Sequence, residues 1–194
     1  MRVIETKVYT FDELDERAKE KAREWMREGF DYLWAGEVYE TLKAFESVFP
    51  VTARDWQYGP GDYQVTAHYT GDYNAEELTG LRLRTYLLNN YGHILTTAKT
   101  IRKGWTGKSR KSKCQKEESS CPLTGVCFDE SALAPIRKFI KKPDNTTFSE
   151  LLAECLDSLF TDASNDWEYQ LTDESIDETI LANEYEFTED GERV

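Results

Sequence analysis

The stretch from Phe148 to Phe160 constrains the fold more than any other part of this sequence. Phe148, Leu151, Leu152, Cys155, Leu156, Leu159 and Phe160 recur at helical spacing and form one wide apolar stripe. Thr147 precedes the stripe and Glu150 stands three residues further on, the spacing of a reciprocal capping box. A helix that apolar on one side must be covered, so the rest of the chain has to supply a core around it. The stripe predicts a helix running from there to about Tyr169.

The covering elements are legible upstream. Residues 3–9 read as a short strand, and Thr10 with Glu13 forms a second capping box that opens a helix. Leu14, Ala18, Ala22 and Trp25 or Met26 would be its buried stripe, with alternating Glu and Lys on a solvated face. A helix from about Asp31 to Val48 is predicted with Trp34, Val38, Leu42 and Phe45 on one side, ended by Pro50. Residues 51–57 and 63–69 alternate around the turn Tyr58-Gly59-Pro60-Gly61-Asp62, so they predict a hairpin with Tyr63, Val65, Ala67 and Tyr69 on one face. Further helices are expected over 75–90 and 129–141, and another begins at Thr172 with Ile176 and Ile180 inward and stops at Asn183. Tyr185-Glu186-Phe187 reads as a closing strand before the turn at Asp190-Gly191.

The expected architecture is one α+β domain over residues 1–194. It would have a small antiparallel sheet, built from the hairpin and the terminal strands, with helices packed on one face. A basic, cysteine-containing, mobile loop is inserted at about 102–127, and an acidic helical segment closes the chain at 144–194. At this length the chain can bury about 70% of its unfolded surface, and 13% aromatic residues argue against disorder. No apolar run approaches the roughly 20 residues of a membrane span, and Met1 to Lys7 lacks the apolar stretch of a signal peptide. A cytoplasmic protein with reduced thiols and no membrane partner is the expectation.

Charge is distributed unevenly. From Asp144 to Val194 there are sixteen Asp and Glu against the single basic residue Arg193, whereas the remaining residues are nearly neutral. Asp157, Asp162, Asp166, Glu168, Asp173, Glu174, Asp177 and Glu178 form the candidate partner-binding acidic face. Asp173 with Asp177, and Glu174 with Glu178, are like-charge pairs at i,i+4, each costing a few tenths of a kcal/mol in an isolated helix. Such an array can present spaced negative charges to a groove built for phosphates, or it can simply be a soluble surface.

The inserted loop holds the opposite charge. Arg102, Lys103, Lys108, Arg110, Lys111 and Lys113, followed by Lys116, surround Trp105, a candidate phosphate-contacting loop with one aromatic for stacking. An ordinary solvated loop is the competing interpretation and the preferred one. Cys114, Cys121 and Cys127 are spaced C-x6-C and C-x5-C, without the tight knuckle of a zinc site, and a fourth ligand would have to come from His93, His68 or elsewhere. No metal and no cofactor are expected. Neither histidine has a fixed partner, and no phosphate, dinucleotide, metalloprotease or nucleophile-elbow motif is present, so no catalytic residue is expected.

Two segments carry a resemblance. Tyr9-Thr-Phe-Asp-Glu-Leu14 followed by Ala18-Lys-Glu-Lys-Ala22, and Leu171 through Gly191 (LTDESIDETILANEYEFTEDG), are similar to the opening and close of a family of small phage, prophage and plasmid proteins. Its members are often described as antitoxins of toxin–antitoxin stability systems. The aromatic residues around Asp31, Tyr32 and Trp34 fit that family's second segment, while the Cys- and Lys-containing loop falls outside the resemblance. What the resemblance implies is a mobile-element product in a bacterial cytoplasm. By analogy with other small acidic proteins of such elements, the expected role is anti-CRISPR-like inhibition of a host nuclease or Cas effector complex by the acidic face. The alternatives are an antitoxin that neutralises a toxin protein, and a nucleic-acid-binding protein that uses the basic loop.

Overall fold

The computed structural model describes residues 7–95 and 121–194. In chain order its elements are β1 (Tyr9–Thr10), a 3-10 turn (Phe11–Glu13), α1 (Glu16–Glu28), α2 (Ala35–Val48), β2 (Val51–Gly59), β3 (Asp62–Tyr69), α3 (Tyr73–Glu76), α4 (Gly80–Leu95), α5 (Phe128–Lys141), α6 (Phe148–Gln170), α7 (Asp173–Ala182) and β4 (Glu186–Phe187). This is an α+β fold. It divides into two compact units, one comprising residues 1–33 with 165–194 and the other residues 34–164.

In the first unit β1 and β4 pair antiparallel, Tyr9 opposite Phe187 and Thr10 opposite Glu186. The Thr10–Glu13 capping box is present, but it opens the short 3-10 turn rather than a long helix. Leu14 is extended, and Asp15 supplies the true cap of α1, its carboxylate accepting from the Ala18 N–H at 2.8 Å. Phe11, Leu14, Ala18, Ala22, Ile176, Ile180 and Phe187 make the core, with Tyr9, Trp25, Met26 and Tyr185 packed against it. The two alanines let chain approach chain. Gly191 adopts φ 80°, and a Cβ there would fall 2.2 Å from the Ala18 carbonyl oxygen, so no other residue fits without displacing α1.

In the second unit the predicted stripe is realised in full: Phe148, Leu151, Leu152, Cys155, Leu156, Leu159 and Phe160 are all buried. The Thr147 amide donates to Glu150 at 2.8 Å while the Glu150 amide donates back to the Thr147 hydroxyl at 3.3 Å. The same unit buries Leu42, Phe45, Phe49, Leu83, Leu87, Leu133 and Ile136 completely. Phe45, Phe49, Tyr91, Tyr86 and Phe148 form a chain of ring contacts at 4.6–6.3 Å. Burial, and then Tyr86, pushes the Tyr91 phenol up to about 12. Burial likewise holds the Cys155 thiol well above its ordinary range, as befits a packed rather than reactive sulfur.

Several expectations are corrected. The sheet is not one but two separate two-stranded sheets, β1–β4 and β2–β3. The terminal strands are two residues long and pair with each other, so they do not extend the hairpin. The second helix starts at Ala35 rather than Asp31, and Trp34 is 43% exposed rather than lining the core. The helix expected over 75–90 is interrupted at residues 77–79 between α3 and α4, and Gly80 begins α4 at φ 56° with its amide donating to the Asp144 carbonyl. The hairpin is as expected, with Gly61 at φ 72° in its turn, plus a bulge between Arg54 and Gln57 that the alternation did not reveal. No described helix is long and apolar enough to cross a membrane.

Candidate functional site

The predicted face acids that fall in the first unit sort by length. Its aspartates Asp166, Asp173 and Asp177 are bonded by the protein's own side chains. Asp166 accepts from the Tyr32 hydroxyl at 2.7 Å and from the Gln170 amide at 2.8 Å, while Tyr32 stacks flat on Trp167, ring centres 4.9 Å apart. Asp177 receives the Arg23 guanidinium in a two-pronged pair, with both N–H···O distances 2.7 Å. Asp173 receives Arg27, which also donates to the Leu171 carbonyl at 3.4 Å. Glu20 joins the two arginines by accepting from Arg23 at 3.3 Å and Arg27 at 3.1 Å. Those bonds hold the Glu20 carboxyl below its ordinary range, and the Asp177 bond raises Arg23 further above its own. The charges that α1 was expected to keep solvated are therefore the fastener of α1 to α7.

The three glutamates behave differently. Glu168, Glu174 and Glu178 are exposed, and their side chains make no hydrogen bond or ion pair among the described residues. Glu174 and Glu178 lie one turn apart on α7, and Leu181, 43% exposed, continues the same side of the helix. Thr172 caps this helix by accepting from the Ser175 amide, and the acids of its first turn favour its positive end. Chemically, this face offers carboxylates without an internal cation beside an apolar contact. Nothing in it resembles a paired acid and base.

The other predicted acids belong to the second unit. Asp162 is exposed on α6. Asp157 lines an open groove of roughly 500 Å³ with Asn145, Thr146, Glu150, Ala153 and Glu154. Partial burial raises its carboxyl above the ordinary value. The basic residues Arg102, Lys103, Lys108, Arg110, Lys111 and Lys113, and with them Cys114, lie outside the described residues. Cys121 is half-buried and Cys127 exposed, and among the described residues no cluster of His, Cys, Asp or Glu could hold a metal ion.

One polar centre went unnoticed in the sequence. Asp129, fully buried in the first turn of α5, accepts from the backbone amides of Leu123, Thr124 and Gly125 at 2.7–3.1 Å. It also accepts from the hydroxyls of Thr124 at 2.7 Å and Thr41 at 3.3 Å. Five donors satisfy a buried carboxylate and wind residues 121–127 into defined turns. Its only signal was Thr-Gly four to five residues ahead of an acid at a helix start, which looks the same when the acid is solvated.

No protein-family model, curated protein or solved structure matches this chain. Its function has to be read from the chemistry of these surfaces.

Proposed function

We propose that the protein is a non-enzymatic binding protein of a mobile element. In this reading it acts in a bacterial cytoplasm and inhibits a host nucleic-acid-handling defence complex, of the kind formed by a nuclease or Cas effector. The observation that carries the reading is the division of labour among the acids: Asp166, Asp173 and Asp177 are taken up internally, whereas Glu168, Glu174 and Glu178 are left outward. A groove that evolved to hold phosphates presents Lys and Arg at spacings an acidic helix can meet. The resemblance of Leu171–Gly191 to mobile-element proteins supplies the setting, and it equally supports a second reading, an antitoxin that covers a toxin.

The test is a salt titration of binding to a Cas effector complex, wild type beside the variant Glu168→Gln, Glu174→Gln, Glu178→Gln. Three exposed charge contacts, each worth up to about 1 kcal/mol, give an expected loss of about tenfold or more at low salt. The difference should shrink as screening sets in beyond a Debye length of about 8 Å. Equal affinities at every salt concentration would remove the proposal for these glutamates. Recovery of a small co-encoded protein in their place would favour the antitoxin reading.

A further inference from the structure

The hairpin's two edges are finished differently. Against β3, strand β2 pairs Ala53 with Ala67 and Arg54 with Thr66, then the bulge sets Gln57 against Gln64. The Ala53 N–H points away from β3, since it donates to the Glu46 carboxylate at 2.8 Å, and Thr70 N–H reaches the Pro50 carbonyl across the pair. Even-numbered residues of β3 therefore bond to β2, and odd-numbered ones aim their N–H and C=O outward. On the β2 edge those outward groups are blocked by Glu46, by the bulge and by Asp55 at φ 49°. On the β3 edge the backbone groups of Tyr63, Val65, Ala67 and Tyr69 make no hydrogen bond among the described residues. The inward side chains of the same four residues stay half-buried, whereas Val51 and Ala53 on β2 are buried.

Natural sheets protect an open edge with lysine, proline or a bulge, and β3 has none of these. From Tyr63 to Tyr69 it carries no Asp, Glu, Lys or Arg, in a chain whose net charge of −13 drives copies apart elsewhere. A charged partner segment finds nothing to hold along this strand, but an identical strand meets it without opposing charges. The segment is also nearly symmetric about Thr66: Tyr63 mirrors Tyr69, Gln64 mirrors His68, and Val65 mirrors Ala67. We propose that β3 is a self-association edge, on which a second copy of this chain pairs antiparallel about a two-fold axis at Thr66 to make a four-stranded sheet.

In that register Tyr63 faces the other copy's Tyr69, and Val65 faces its Ala67. Both are hydrogen-bonded pairs, because the odd residues point outward. Thr66 opposes itself in a non-hydrogen-bonded pair, with Cα atoms about 4.5 Å apart. The half-buried tyrosines and Val65 then gain cover along the inner face, and each edge amide without a partner among the described residues finds a carbonyl.

Sedimentation equilibrium of the full chain tests this. Wild type is expected at twice the monomer mass of 22.5 kDa, with association strengthened by salt as the net charge is screened. Thr66→Lys puts two like charges face to face at an exposed position and should return the mass to that of one chain, with circular dichroism unchanged. Thr66→Cys should form an intermolecular disulfide under mild oxidation, since its Cα separation falls within the usual range of about 4.4–6.8 Å. Gln64→Cys and wild type should not cross-link. A wild type that is monomeric at every concentration overturns the proposal, whether its edge then takes up an extended peptide of another protein or stays open. So does a Thr66→Lys protein that remains dimeric, or equal cross-linking at positions 64 and 66.

Discussion

The two compact units are held by different forces. The unit of residues 34–164 rests on volume: Phe45, Phe49, Phe148 and Phe160 are each buried to 2% exposure or less, and aliphatic side chains from α2, α4, α5 and α6 fill the space between. The unit of residues 1–33 and 165–194 has a core of seven residues, two of them alanine, and compensates with charge. Six of the seven described ion pairs lie in it, and Arg193 lies over the rings of both Trp25 and Tyr185 at 4.8 and 4.4 Å. A carboxylate-rich segment is thus not one thing. Part of its charge holds the protein together, and only the remainder is available to a partner.

The largest effect that sharpens this comparison is a cavity in the second unit. Phe148 is fully buried and touches Tyr69, Tyr86 and Tyr91. Phe148→Ala should cost about 3–5 kcal/mol of unfolding free energy in urea, with little dependence on salt. A loss below 1 kcal/mol would mean that volume is not what holds this unit.

A smaller effect separates the two kinds of acid on α7. Asp177 is partly buried in a two-pronged pair with Arg23, their side chains 28% and 14% exposed. Asp177→Asn should cost about 1–2 kcal/mol, within the range for a hydrogen-bonded charge once partial solvent screening is discounted. Glu178→Gln should change stability by no more than about 0.5 kcal/mol, or raise it slightly by relieving the repulsion from Glu174. Equal losses in urea titrations of the two variants would erase the distinction between fastening and presented charge. Replacing all of Asp173, Glu174, Asp177 and Glu178 together would therefore weaken the fold as well as any binding, which is why the binding test uses the glutamates alone.

What the sequence showed well was local. The Thr147 capping box, the stripe from Phe148 to Phe160, the hairpin turn and the Thr172 cap depend on residues three to four apart, where a side chain's geometry is nearly set by its neighbours. What it hid was paired at long range. Arg23 meets Asp177 across 154 positions, and an arginine on a Glu- and Lys-rich helix face reads as solvated until its partner is seen. Trp34 misled because a helical period extended backward placed it inside, whereas the helix starts only after it. Asp129 stayed hidden because its partners are backbone amides, which every sequence has. Within the acidic face the sequence located the carboxylates, but which of them turn inward depended on α1 coming to lie against α7.

Acid offers the gentlest test of the same comparison. In the charge-fastened unit three carboxyls are held below their ordinary value of 4.5: Glu20 by Arg23 and then Arg27, Glu13 by the Thr10 amide and then its hydroxyl, and Glu192 by Lys21. A lowered folded value means that the unfolded chain takes up protons first as pH falls. The stability these groups lend is complete above 4.5 and drains away as pH drops through their lower folded values. In the other unit Glu150 and Asp144 are lowered by Thr147 and Thr146, but Asp157 is raised by desolvation and works in the opposite sense, favouring the folded state as acid is added. Arg23, raised above an already high value, stays charged throughout and contributes no slope. Acid should therefore loosen α1 before α5. Hydrogen exchange, corrected for its intrinsic pH dependence, should show peptides from Glu16–Glu28 losing protection between about pH 6 and about pH 3.5 faster than those from Phe128–Lys141. Glu20→Gln should flatten that difference, because the glutamine no longer takes up a proton between the two arginines. If both helices lose protection in parallel, with or without Glu20, charge is not what distinguishes the two units.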